Sequence, residues 1–396
     1  ECSQLGKCIP GFFDHSGDGG ELLVRLSYTQ PDGLVQTLLR SIPEEDFGDE
    51  VEVIGWMYQY YNAEEKDKIF AQLKKNIKIA KEDVPSVTQL FTPHWLVRYM
   101  VENSLGRLWL TAHPEENLEK NWRYYVKEAP QEERVLPFLQ KAQAPYAGVQ
   151  PQDLRIIDPC MGSGHILVYA MDVLMQIYRS QGWQDDAAVR MILERNLYGL
   201  DVDDRAYQLT CFAVMMRAIR YDPDILKKNP SLHIYSVQES NHICKEHIDL
   251  LGANITDTMS WQKVHDDLCH LVELFRDAKE YGSALVMPED MDFDEMERFV
   301  AHASCDAQMT FDTQGDDITQ QQLGQLLSFA RMLSRQYDVV VTNPPYMSQK
   351  GMSEPLARYT KIFYPDSKHD LFAVFLERCG EMTKSCGYQA MVTQHA

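Results

Sequence analysis

The chain lacks most of the features that would have assigned it at a glance. No apolar run approaches ~18 residues, which excludes a conventional membrane-spanning helix. No secretory start precedes the globular pattern. The nine cysteines contain no Cys-x-x-Cys pair, and their odd, scattered placement predicts reduced thiols in a cytoplasmic protein. His242-x-Cys244-x-x-His247 gathers soft ligands but finds no fourth at zinc-like spacing, so no metal is expected. Neither His-Glu-x-x-His nor a serine nucleophile elbow occurs, which disfavours hydrolytic chemistry. Positive charge is short as well. Thirty-eight Lys and Arg against 59 Asp and Glu leave a formal net charge of −21, whereas a phosphate-binding surface is ordinarily basic. Either the basic recognition surface lies outside this stretch of sequence, or the acidity marks surfaces that face other proteins.

What is present describes a globular α/β protein. A length of 396 residues with 44% hydrophobic and 24% charged residues accommodates two or three domains with ample core. Residues 1–85 form a mostly helical N-terminal region, uneven and Gly-rich up to Gly33 and helical from about Leu34. Its aromatic cluster, Trp56, Tyr58, Tyr60 and Tyr61, is expected to pack between helices. Strands and helices alternate over residues 86–240 and resume over 337–396. Between them, 241–336 read as a mostly helical insertion whose acidic stretch around Pro288-Glu289-Asp290-Met291-Asp292-Phe293-Asp294 is a solvated face.

Three motifs carry chemistry. The apolar run Asp338 to Thr342 reads as a buried parallel strand, and Asn343-Pro344-Pro345-Tyr346 follows at its carboxyl end, where open α/β sheets bind ligands. The Asn343 amide oxygen and the Pro344 carbonyl can accept the two protons of an –NH2 group. The prolines fix those acceptors, and Tyr346 offers a ring on which a planar group can stack. Upstream, Leu154 to Ile157 lead into Asp158-Pro159-Cys160-Met161-Gly162-Ser163-Gly164 and then a long helix from His165 to about Arg179. Gly162 and Gly164 allow close backbone approach, but no Lys-Ser/Thr follows as in a phosphate-binding loop, and Asp158 would repel a pyrophosphate. The site therefore suits a small ligand carrying an amino cation. Third, Leu197 to Asp201 reads as a strand ending in an acid suited to a ribose diol. Asp201 lies further from the glycines than the ~20 residues of a minimal dinucleotide unit, and a helical segment, Asp185 to Asn196, fills the excess.

Together these residues resemble the S-adenosylmethionine-dependent N6-adenine DNA methyltransferases. The resemblance implies a Rossmann-like sheet, S-adenosyl-L-methionine as cofactor, and Asn343, Pro344, Pro345 and Tyr346 as the catalytic motif. It assigns cofactor binding to Phe91, Thr92, Pro93, Asp158, Pro159, Gly162, Gly164, Asp201 and Glu239. Physically, Thr92 is a good N-cap and Pro93 suits the first turn of an amphipathic helix running through Leu105. Val53 to Tyr61, Leu90 to Pro93, Tyr364 to Lys368 and Asp370-Leu371-Phe372 are similar to the PglX methyltransferases of BREX phage-defence systems. That family runs longer, so the chain, which opens on Glu1 and closes on a strand at Tyr388 to Thr393, reads as a piece of a larger enzyme. Expected partners are double-stranded DNA, met through the full-length enzyme, and other defence-system proteins, with no membrane. Two rival functions stay open: methylation of protein glutamine, whose side-chain amide presents the same –NH2, and a non-catalytic cofactor-binding module that serves assembly.

Overall fold

The computed structural model describes residues 90–251, 258–303 and 313–394 continuously, and 30–31, 33–41, 55, 59–60, 63–73, 78–79 and 87–88 in shorter pieces. Five strands form one sheet: β1 (Ile156–Asp158), β2 (Leu197–Asp201), β3 (His233–Ser236), β4 (Tyr337–Thr342) and β5 (Thr383–Met391). Their order is β3-β2-β1-β4-β5, and every pairing is parallel. The order reverses between β1 and β4, so the crevice beyond their carboxyl ends is the place where such a sheet receives a ligand.

Alternation along the strands feeds two apolar layers. Ile156, Leu197, Val339 and Val341 enter one, with Val97, Leu167 and Val214 of the helices above it. Ile157, Tyr198, Leu200 and Val340 enter the other, with Leu268, Leu326 and Val374. Successive side chains of a strand point to opposite faces, so a strand buried on both reads as the continuous apolar run seen at Val339-Val340-Val341. The first layer is covered by α1 (His94–Val101), α2 (His165–Ser180) and α3 (Asp204–Tyr221). Over the second lie the insertion helices α4 (Thr258–Leu274) and α5 (Phe293–Ala303), then α6 (Thr313–Ser334) and α7 (Leu371–Met382). No helix among the described residues is long and apolar enough to cross a membrane.

Several local expectations change. Thr92 does not cap α1: Pro93 holds the N-cap position without any side-chain cap bond, and the Thr92 hydroxyl is engaged elsewhere. The helix continues beyond Val101 as a π-helical turn, Glu102–Gly106, before resuming as Arg107–Ala112. Tyr124 donates its N–H to Glu102, and Asn103 exchanges hydrogen bonds with Tyr124 and Val126, so the following segment is strapped along that wider turn. The terminal strand begins earlier than Tyr388, at Thr383, with a break in register where Val339 pairs with Tyr388. Of the aromatic cluster, Tyr60 is 67% exposed rather than packed, and Trp56, Tyr58 and Tyr61 lie outside the described residues.

Candidate active site

The end of β1 places Asp158 in the crevice with only 1% of its surface exposed. Its Oδ1 accepts the Cys160 N–H at 3.1 Å and the Thr342 hydroxyl at 2.7 Å. Oδ2 is buried without a hydrogen-bond partner. Burial raises this carboxyl to about 7 against the two hydrogen bonds that favour its ionised form. An orphaned buried carboxylate oxygen is costly unless a cation meets it. The site thus has the chemistry of a socket for an amino cation.

Gly162 and Gly164 turn the chain out of β1 with φ of +52° and +81°, in the left-handed region that glycine tolerates. At Gly164 a Cβ would stand 2.8 Å from Thr210 Cγ2, so the turn is tight as well as left-handed. The Gly162 N–H donates to Asp201 Oδ2 and the Asp203 N–H to Asp201 Oδ1, both at 2.9 Å. Asp201 therefore ties the glycine turn to the end of β2. Burial raises its carboxyl to about 6, opposed by those backbone donors.

On the other side of the switch point, β4 delivers Asn343. Its Nδ2 donates to the Leu90 carbonyl and to Thr92 Oγ1, each at 3.1 Å. Because a backbone carbonyl can only accept, the contact with Leu90 fixes which way the amide faces. Oδ1 accepts from the Tyr346 hydroxyl at 2.9 Å, a hydroxyl that also lies 2.9 Å from the Val392 carbonyl. Tyr346 is thus fastened at its polar end, with its ring 6.1 Å from that of Phe372. Burial raises its phenol to about 12, keeping it a neutral donor. Segment 90–92 is itself held from the N-terminal region, since the Phe91 N–H donates to Gln59 Oε1 at 3.0 Å, and the Phe91 ring stacks on His165.

Two adjoining cavities occupy this crevice and share Leu90, Cys160, Gly162 and Asn343 in their walls. Asp158, Phe91 and Thr92 line one, and Pro159, Asp201, Val202 and Pro345 line the other. Pro93, Gly164, Pro344 and Tyr346 are not among the residues lining either cavity, and Tyr346 is half-buried. Glu239 is also outside: its oxygens face the Lys279 N–H at 3.3 Å and Asn241 Nδ2 at 3.4 Å. Among the described residues no group of three or more His, Cys, Asp and Glu side chains is arranged to hold a metal ion.

The far wall was missed by sequence reasoning. Lys279, Glu280, Tyr281, Gly282 and Ser283 of the insertion close the larger cavity. The Ser283 hydroxyl donates to the Pro159 carbonyl at 2.7 Å, and Lys279 reaches Asp204 at 2.7 Å. Burial works against the Asp204 charge, but Lys279, Ser236 and Gln238 outweigh it and hold its carboxyl below the ordinary range. The acidic run itself is solvated as expected, with Glu289, Asp290, Asp292 and Asp294 exposed. A clue was legible: the small, neutral Gly282-Ser283-Ala284 interrupts the acidic, helical pattern and is buried.

A protein of Lacticaseibacillus casei (strain Zhang) named adenine-specific methyltransferase PglX is 37% identical over 408 residues, covering 100% of this chain and 32% of that protein. The adenine-specific methyltransferase BrxX of Escherichia coli O9:H4 (strain HS) is 35% identical over 414 residues, covering 100% of this chain and 33% of its own length. The chain therefore spans about a third of the length of these curated relatives. Residues 195–396, just over half of the chain and including β2 to β5 with Asn343, match the Eco57I restriction-modification methylase family, and the chain belongs to that family.

Proposed function

We propose that the protein containing this chain transfers a methyl group from S-adenosyl-L-methionine to N6 of adenine in double-stranded DNA, within a BREX-type phage defence. The family implies a methyl donor, and the names of the two relatives point to adenine. The observation that carries the reading is that Asp158 and Asn343, from the two strands at the switch point, line one cavity. One offers an unpartnered buried carboxylate oxygen, the other an amide whose N–H groups are both spent on the protein. Asp158, the turn at Gly162 and Asp201 are the residues that would hold the donor through its amino group and ribose. Bound there, S-adenosyl-L-methionine supplies an electrophilic methyl group on a sulfonium.

The chain's own contribution is orientation. Asn343 Oδ1 and the Pro344 carbonyl accept the two protons of the target amino group, which aims its lone pair. Oδ1 keeps a second lone pair for this purpose beside the one facing Tyr346. Flipping the base from the duplex costs a few kcal/mol, of order 2–4. Contact with the Tyr346 ring returns part of it, about 1–3 kcal/mol by comparison with single-strand binders. No side chain need act as a covalent nucleophile, because placement supplies most of the acceleration. Asn343→Ala in the intact protein is expected to abolish methyl transfer to unmethylated genomic DNA while leaving binding of S-adenosyl-L-methionine intact. Wild-type turnover by that variant would sink the assignment.

A further inference from the structure

The contacts of Asn343 give Thr92 a task other than holding the donor molecule. An asparagine amide has a broad, roughly two-fold preference at its terminal torsion, so nothing in the side chain itself favours oxygen over nitrogen toward a substrate. Turned the wrong way, the amide would present N–H to an incoming –NH2, donor against donor. Here both Nδ2 protons are taken, one by the Leu90 carbonyl and one by Thr92 Oγ1, each at 3.1 Å. Thr92 is 8% exposed, so water cannot readily substitute for its hydroxyl. Although it sits directly before α1, it makes no capping bond there. We propose that Thr92 is a positioning residue for methyl transfer: its hydroxyl takes the second Nδ2 proton and so steadies the orientation that the Leu90 carbonyl, an acceptor only, selects for the Asn343 amide, with its oxygen toward the substrate.

This inference rests on the reading of Asn343 as the acceptor of the target amino group. It also ties amide orientation to residues upstream, since Gln59 holds the Phe91 N–H between the two anchoring positions. Thr92→Val keeps the volume and removes the hydroxyl, while Thr92→Ser keeps the hydroxyl. A neutral hydrogen bond of ordinary worth sets the expected loss at about three- to tenfold in rate.

The test is single-turnover transfer from labelled S-adenosyl-L-methionine to unmethylated genomic DNA by the intact protein, with the affinity for S-adenosyl-L-methionine measured alongside. Thr92→Val should slow transfer by that factor at unchanged affinity, and Thr92→Ser should restore the rate. A wild-type rate in Thr92→Val overturns the proposal, as does a loss confined to cofactor affinity. Asn343→Ala run in parallel separates the two levels: wild-type transfer by that variant refutes the underlying assignment instead. A readout independent of turnover uses selectively 15N-labelled asparagine. The Asn343 Nδ2 protons, identified by their disappearance in Asn343→Ala, should exchange faster with solvent in Thr92→Val, and unchanged exchange counts against the lock.

Discussion

Asp158→Asn should make the ligand-free protein more stable at neutral and alkaline pH while weakening its grip on a cationic ligand. Burial moves the Asp158 carboxyl from 3.8 to about 7. At 1.36 kcal/mol per pH unit, the ionised form therefore costs the folded state about 4 kcal/mol. Between pH 3.8 and about 7 the folded protein keeps a proton that the unfolded chain releases, so stability falls as pH rises through that window and levels off above it. The amide introduced by Asp158→Asn would still offer an oxygen to the Cys160 N–H and the Thr342 hydroxyl, so the substitution removes the charge and little else. Urea denaturation of wild type and variant at pH 5 and pH 8 should show the variant ahead by up to about 4 kcal/mol at the higher pH and by only about 1–2 kcal/mol at the lower. A smaller slope should persist in the variant from Asp201, which burial raises to about 6. Calorimetric titration with S-adenosyl-L-methionine gives the complementary result. Wild-type affinity should rise about tenfold between pH 6 and pH 8 as Asp158 ionises, and the variant should be weaker with that rise removed. Equal stability of the two proteins at pH 8, or an undiminished affinity in the variant, would refute the argument that Asp158 is held as an uncompensated charge.

Two further substitutions test the walls of the crevice. Gly164→Ala asks a side chain to adopt φ of +81° and to stand 2.8 Å from Thr210 Cγ2, so a loss of about 1–3 kcal/mol in denaturation is expected, with weaker cofactor binding. Ser283→Ala removes the hydroxyl that donates to the Pro159 carbonyl and leaves that buried acceptor unpaired, at about 1–3 kcal/mol. If the insertion is a true wall of the cavity, calorimetry should show Ser283→Ala binding S-adenosyl-L-methionine more weakly, whereas unchanged affinity would make residues 279–283 bystanders.

The sheet was legible because each core strand carries its own signal. Val339-Val340-Val341 is apolar on both faces, and the strand ends at Asp158, Asp201 and Asn343 are marked by a glycine turn, an acid before a helix and a proline pair. Helices α2 and α3 were readable within a residue or two, since their apolar faces repeat at helical spacing over four turns or more. What was not legible turned on side chains choosing between partners of equal chemistry. Thr92 was equally fitted to cap α1 or to bind Asn343 across the cleft, and only the approach of β4 decides for the latter. Glu239 was a reasonable acid at a strand end, yet its carboxylate faces Lys279 and Asn241 rather than the cavity.

The sequence by itself thus determined the alternation of strands and helices, the identity of the three motif-bearing strand ends, and the residue types available to hold a cation, a diol and an amino group. Those follow from local periodicity and turn chemistry, which act over a few residues. The tertiary structure alone decided that Asp158 and Asn343 line one cavity, that Asp158 keeps an unpartnered oxygen, that Leu90 and Thr92 hold the Asn343 amide, and that the insertion closes the crevice. Each of these joins residues far apart in the chain, and strand order and burial set them through the packing of the whole sheet.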